Sequence, residues 1–142
     1  MTHKITRVLD PTPCYALRHT VFVGEQNVPP ALERDALDDT AIHLLAKVSD
    51  TPMGAARIVV MGDTGKIGRV CVLGPARGTG LGAALIRAAL DILRGEPGIT
   101  RAILGAQIDA LGFYEKLGFT AYGDVFDDAG IDHRMMERRL HE

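Results

Sequence analysis

Apolar and polar positions along the chain follow two periods, and the switches between them mark the elements. "KITRVL" (4–9) alternates and predicts a first strand, and the prolines of "DPTP" behind it suit a helix start. From Cys14 to about Val23, Leu17 and Val21 recur four apart, which predicts a helix with Arg18 pointing away from its apolar side and a break at Gly24. Residues 24–39, "GEQNVPPALERDALDD", carry two prolines and five acidic residues without a sustained period, so a long loop with one helical turn is expected. "AIHLLAKV" (41–48) and "GAARIVVM" (54–61) predict a hairpin turning through "SDTPM", and "KIGRVCVL" (66–73) predicts a third antiparallel strand after the turn "GDTG".

The period changes again after Leu73. Leu81, Leu85, Ala88 and Ile92 form a stripe at i, i+4, i+7 and i+11, with Arg87, Asp91 and Arg94 on the far side, so an amphipathic helix is predicted up to "GEPG" (95–98). "RAILGA" (101–106) reads as a short strand, "IDALGFYEKL" as a second helix stopped by Gly118, and two strands close the chain around "DDAG". The order is β, α, a three-strand meander, αβα and a final hairpin. It predicts an α/β fold of the mixed α+β kind: one domain over residues 1–142, with a central, mostly antiparallel mixed sheet of about seven strands flanked by helices.

Composition narrows the partners. A chain of 142 residues with 46% hydrophobic and 24% charged residues and a net charge of -2 has room for one sizeable core, and it lacks both the composition of a disordered chain and a polybasic nucleic-acid footprint. No stretch has the apolar length of a membrane span, and the start, "MTHKITRVLD", lacks a signal peptide's apolar core, so a cytoplasmic protein without nucleic-acid or membrane partners is expected. Cys14 and Cys71 lie too far apart for metal-ligand spacing, and in a reducing compartment neither a metal nor a disulfide is expected.

The candidate chemistry lies in "GPARGTGLGAAL" (74–85), where a strand meets a helix through closely spaced glycines. Amides freed of side chains can approach an anion there, and the helix N-terminus adds a favourable dipole. A nucleotide P-loop is excluded, because Gly80 is followed by Leu81 and Gly82 and no lysine is present to reach a terminal phosphate. Gly78, Gly80 and Ala83 satisfy a relaxed dinucleotide fingerprint, yet the loop follows an antiparallel meander and Gln107, not an acidic residue, follows "RAILGA". A third scheme, Arg/Gln-x-x-Gly-x-Gly/Ala, is matched at every position by Arg77, Gly80 and Gly82.

That stretch resembles the coenzyme A pyrophosphate loop of the GNAT superfamily of N-acetyltransferases, and "FYEKLGF" (113–119), one helix and one strand later, matches the same superfamily. Through "RHTVFVGEQNVP", "ERDALD", "AIHLLA", "GAARI" and "AGIDHRMM", nearly the whole chain resembles a subgroup of small acetyltransferases that are also similar to acyl-homoserine-lactone synthases. Pro75 sits one place later than the proline often found before this loop, and Gln107 stands where many members have an asparagine, whose cofactor contact a glutamine amide can reproduce.

The resemblance implies acetyl-CoA as co-substrate. The main chain of Val70, Cys71 and Val72 would flank the pantetheine arm and thioester; Arg77, Gly78, Thr79, Gly80, Leu81 and Gly82 would wrap the pyrophosphate; Gln107 would add an amide contact. Tyr114 matches the position whose phenol protonates the departing thiolate, a transfer that depends on positioning because a free phenol has a pKa of about 10 and a thiol about 8.5. No single residue declares itself as the base that must deprotonate the amine: Glu25 is the first candidate, Asp38, His133 and His43 follow, and an ordered water chain is the alternative. Glu25, Asp38 and His133 are also the candidate acceptor contacts. Glu25, Glu33, Asp35, Asp38 and Asp39 together are expected to draw a cationic amine to the pocket mouth.

The function implied is transfer of an acetyl group to a primary amine of a small molecule or peptide by direct attack in a ternary complex, without a metal. Two alternatives stay open at this stage: an acyltransferase for longer thioesters, as in the lactone synthases, and a sensor that binds acetyl-CoA without turnover. Sheet edges or the final hairpin offer a route to a homodimer, which composition leaves undecided.

Overall fold

A computed structural model describes residues 2–141. Its seven strands form one mixed sheet of order β1-β2-β3-β4-β5-β7-β6. β1 (His3–Val8), β2 (Ile42–Val48), β3 (Thr51–Met61) and β4 (Thr64–Val72) pair antiparallel in sequence. The β2–β3 hairpin closes through Ser49 and Asp50, both at positive φ (49° and 67°), the pair of left-handed residues that follows the twist of the strands. Such a tight turn lets β3 begin at Thr51 and take in Pro52, so the strand is longer than its apolar run.

β5 (Arg101–Gln107) joins β4 in parallel, and β7 (Ile131–Arg139) and β6 (Thr120–Asp128) complete the sheet antiparallel. The parallel junction is short. Thr64–Lys66 pair with Arg101–Ile103, and beyond Lys66 the two strands separate. A bulge accompanies the parting: between the pairs Arg57–Gly68 and Ala55–Cys71, β3 advances two residues and β4 three, with Arg69 at φ 49°. An extra residue on one strand bends it and re-aims its side chains, which turns the upper half of β4 away from β5.

Helices cover both faces. α3 (Leu81–Gly95) buries Leu81, Leu85, Ile86, Ala89, Leu90 and Leu93 in one core with Ile58, Ile67, Ala102 and Leu104. Its inner face is therefore rotated from the expected stripe, with Ala88 and Ile92 only partly buried at its margin. Each fully buried leucine contributes roughly 1.5–3 kcal/mol relative to exposure. On the opposite face α1 (Thr12–Arg18) continues as a π-helical segment, His19–Glu25, and Cys14, Leu17 and Val21 pack over Leu45, Ala55 and Cys71.

The acidic segment holds more structure than the expected long loop with one helical turn. It contains α2 (Pro30–Glu33) and a 3₁₀ turn, Ala36–Asp39, capped by the Asp35 side chain. Arg18, expected to point outward, is 1% exposed, because its guanidinium is the centre on which that segment folds. A 3₁₀ turn, Ile108–Ala110, and α4 (Leu111–Glu115) link β5 to β6. Among the described residues no helix is long and apolar enough to cross a membrane.

Candidate active site

The glycine run forms an open cradle at the end of β4. Gly74–Ala76 make one 3₁₀ turn, and Gly78 and Gly80 then take φ of +78° and +90°, a conformation that costs a residue with a Cβ roughly 1–2 kcal/mol. The first helical bond of α3 runs from the Ala84 amide to the Gly80 carbonyl at 3.0 Å, so the amides of residues 81–83 lack intrahelical partners, and Gly80 supplies no side-chain cap. Exposed Gly78, Thr79 and Gly80 thus lead into a helix N-terminus with free donors at its positive end. Arg77 stands beside them: its Nε donates to the Val72 carbonyl at 2.9 Å, and its Nη2 pairs with Glu25 Oε1 at 2.5 Å.

Where β4 and β5 part lies a cavity of about 380 Å³, lined by residues of both strands. Val70 of β4, Gly105 and Gln107 of β5 and Tyr114 of α4 line it on the inner side. The Tyr114 ring is fixed edge-on between Phe113 and Phe119, with centroids 5.0 and 6.1 Å away, and burial pushes its phenol above the usual tyrosine range. The phenol therefore keeps its proton at neutral pH. Cys71, between Val70 and Val72, sends its side chain into the α1 cluster, and burial pushes the thiol up to about 12. A contact from Cys71 to a ligand in the gap can therefore come only from its backbone, and a neutral thiol is a poor nucleophile.

His133 of β7, opposite Gln107 of β5, lines the far wall and stacks on Phe126 with centroids 5.7 Å apart. Its Nδ1 lies 2.7 Å from the Ile131 carbonyl. A carbonyl only accepts, so the proton of the neutral ring sits on Nδ1 and the lone pair on Nε2. Gln107 donates from Nε2 to Gln26 Oε1 at 3.1 Å. Consecutive residues, Glu25 and Gln26, are thereby tied to Arg77 and Gln107, two residues expected at the cofactor.

The remaining expected residues are placed otherwise. Asp38 is 4% exposed and does not line the cavity; it accepts from Arg18 Nη1 at 2.7 Å and from Arg57 Nη1 at 3.1 Å. Burial alone would raise its pKa, but the bonds from Arg18, the Asp35 amide and Arg57 hold its carboxyl well below the usual carboxylate range. Both of its carboxylate oxygens are taken up by arginine. Glu25 also lies outside the cavity lining, half-exposed and joined to Arg77. His43 is buried with Nε2 2.9 Å from the Asp38 carbonyl, a structural position.

Sequence reasoning missed the arginines. Arg18 bonds Glu33 and Asp38, Arg57 bonds Asp35 and Asp38, and Arg69 bonds Glu33 and Asp35, so three carboxylates expected to attract an amine are matched by three guanidinium groups. One signal was present: Arg18 lies at i+4 from Cys14 and one position from Leu17, on the apolar side of its helix.

Similarity to known proteins identifies the family. The profile of the acetyltransferase (GNAT) domain matches residues 10–140. A Bacillus subtilis protein described as the uncharacterized N-acetyltransferase YjcF is 37% identical over 123 residues, 86% of this chain and 87% of that one. The crystal structure of an acyl-CoA N-acyltransferase from Pseudomonas aeruginosa superposes with a TM-score of 0.83 at 30% identity, covering 96% of this chain and 98% of that one. The fold is shared more distantly by N-acetylglutamate synthase from Neisseria gonorrhoeae, solved with coenzyme A and N-acetyl-glutamate: TM-score 0.74, 19% identity, all of this chain and 36% of that one. The chain belongs to the GNAT family of acetyltransferases and is an acyltransferase enzyme.

Proposed function

We propose that the protein transfers an acetyl group from acetyl-CoA to the primary amine of a small molecule, both substrates being bound together. The parting of β4 from β5 carries this reading, because it leaves a strand edge and a half-buried phenol on one cavity, with a free helix N-terminus following the end of β4. The residues fit the co-substrate. The β4 edge from Gly68 to Val72 would pair with the pantetheine amides as a strand does; Gly78 to Gly82 and Arg77 would bind the pyrophosphate; Gln107 would bond the arm.

The reaction requires an unprotonated amine. Its nitrogen attacks the thioester carbon, the C–N bond forms, the C–S bond breaks and the thiolate leaves. His133 Nε2 is the base we assign in place of Glu25, since it has a free lone pair on the cavity wall while Glu25 is joined to Arg77. A backbone amide of β4 would stabilise the charge developing on the thioester oxygen, and Tyr114 would give its proton to the thiolate.

The test follows free thiol release from acetyl-CoA against a panel of amino acids, amino sugars, polyamines and peptides. Amine-dependent release supports the reading; tight CoA binding without release favours a sensor. Tyr114→Phe should slow turnover about a hundredfold or more while leaving CoA affinity intact. Repeating the assay with longer acyl thioesters tests the lactone-synthase-like alternative.

A further inference from the structure

The acceptor side of the cavity is not charged as its acidic neighbourhood suggests. Glu33 is the one carboxylate of the acidic segment that lines it, and that group is held by Arg18 and Arg69. On the β3–β4 wall stand Arg57 and, on the adjacent strand, Lys66, which pairs across the ladder with Val59. Arg57 is 7% exposed; both of its hydrogen bonds run from Nη1, to Asp35 and Asp38, and its buried Nε has no partner. A buried guanidinium donor left unsatisfied is costly unless something completes its shell. Lys66 forms no ion pair among the described residues. The opposite wall, from β7 and the β6–β7 hairpin, carries His133 and Asp128.

We infer that the acceptor is an amine that also carries an anionic group, a carboxylate or a phosphate, seated against Arg57 and Lys66 with its amine directed to His133. This rests on the proposed acetyl transfer and names the acceptor class for that site. An anion there gains charge-assisted bonds, while Asp128 opposes an anion and favours an amine on the other wall. The polarity across the cleft therefore orients the acceptor as well as binding it. The expected attraction of a cationic amine by the acidic segment is replaced by recognition of a zwitterion.

The test uses matched sets: ω-amino carboxylates of increasing length and α-amino acids, each beside its carboxamide and the amine lacking the acid, with phosphoethanolamine beside ethanolamine, and spermidine. Thiol release reports kcat/KM. Calorimetric titration of the same compounds into the CoA-loaded protein reports binding without turnover, so loss of the transfer reading and loss of this one are separable. The acids should exceed their amides at least about tenfold in one or both measurements. Lys66→Glu should reverse the order toward spermidine, and Lys66→Gln should raise KM more than it lowers kcat. Equal binding and turnover of acids and amides, or a native preference for spermidine, would overturn the inference. A phosphate preference over every carboxylate assigns the anion as phosphate.

Discussion

Residues 24–39 and residues 74–82 are both irregular in period and rich in helix-breaking residues, yet they treat their polar groups in opposite ways. The first encloses Glu33 and Asp38 against Arg18, Arg57 and Arg69, leaving little of that charge for a ligand. The second keeps its glycines at the surface and its helix amides without intrahelical partners. A segment whose charges are answered internally forms a wall, and one whose donors are unanswered forms a binding site. The wall is also the more fragile, because each partner removed leaves a buried charge behind.

The largest effect should come from breaking the wall at its centre. Arg18→Met removes the shared partner of two buried carboxylates and should cost about 3–5 kcal/mol, read as a lower urea midpoint; adding Glu33→Gln and Asp38→Asn should restore part of it. In the cradle, Gly80→Ala forces a Cβ into a left-handed position with nothing within 4 Å to clash against. Its cost should be about 1–2 kcal/mol of backbone strain, read as weakened CoA binding with a smaller loss of thermal stability.

Acid sharpens the same contrast. Burial raises the pKa of both Asp35 and Asp38, but arginine bonds and charges outweigh it and hold both below the ordinary value of 3.8. Groups depressed by folding contribute stability above their unfolded pKa and lose it as pH falls through the folded one, so the wall should be unaffected at neutral pH and weaken progressively below about 4. Denaturant midpoints from pH 7 to pH 2 would measure this, and Asp38→Asn should flatten the acid limb. The smallest change is expected for Glu25→Gln: a half-exposed pair contributes at most about 1 kcal/mol, so stability should barely move, while CoA affinity rises if Arg77 is freed.

Much of the architecture was legible because strand alternation and turn chemistry are local signals. Seven strands, the helix after the glycine run and the hairpins follow from patterns a few residues wide. The inner face of α3 was read a fraction of a turn off, since Ala88 and Ile92 are as apolar as Ala89 and Leu93 and only the sheet selects between them. The acidic segment was misread for a different reason. Its partners Arg18, Arg57 and Arg69 come from α1, β3 and β4, and no local pattern joins positions so distant in the chain. The π-helical widening of His19–Glu25 leaves no mark in the apolar period either.

The divergence of β4 and β5 also bears on solubility. Two strand edges in the middle of a sheet present unpaired main-chain groups, the template on which foreign strands add. Most sheets guard such edges at their rims with charge or proline; here they lie inside the sheet, beyond Lys66 of β4 and Ile103 of β5. A ligand with amide groups of its own would cap the β4 edge while bound, so the ligand-free protein should be the form more prone to aggregation.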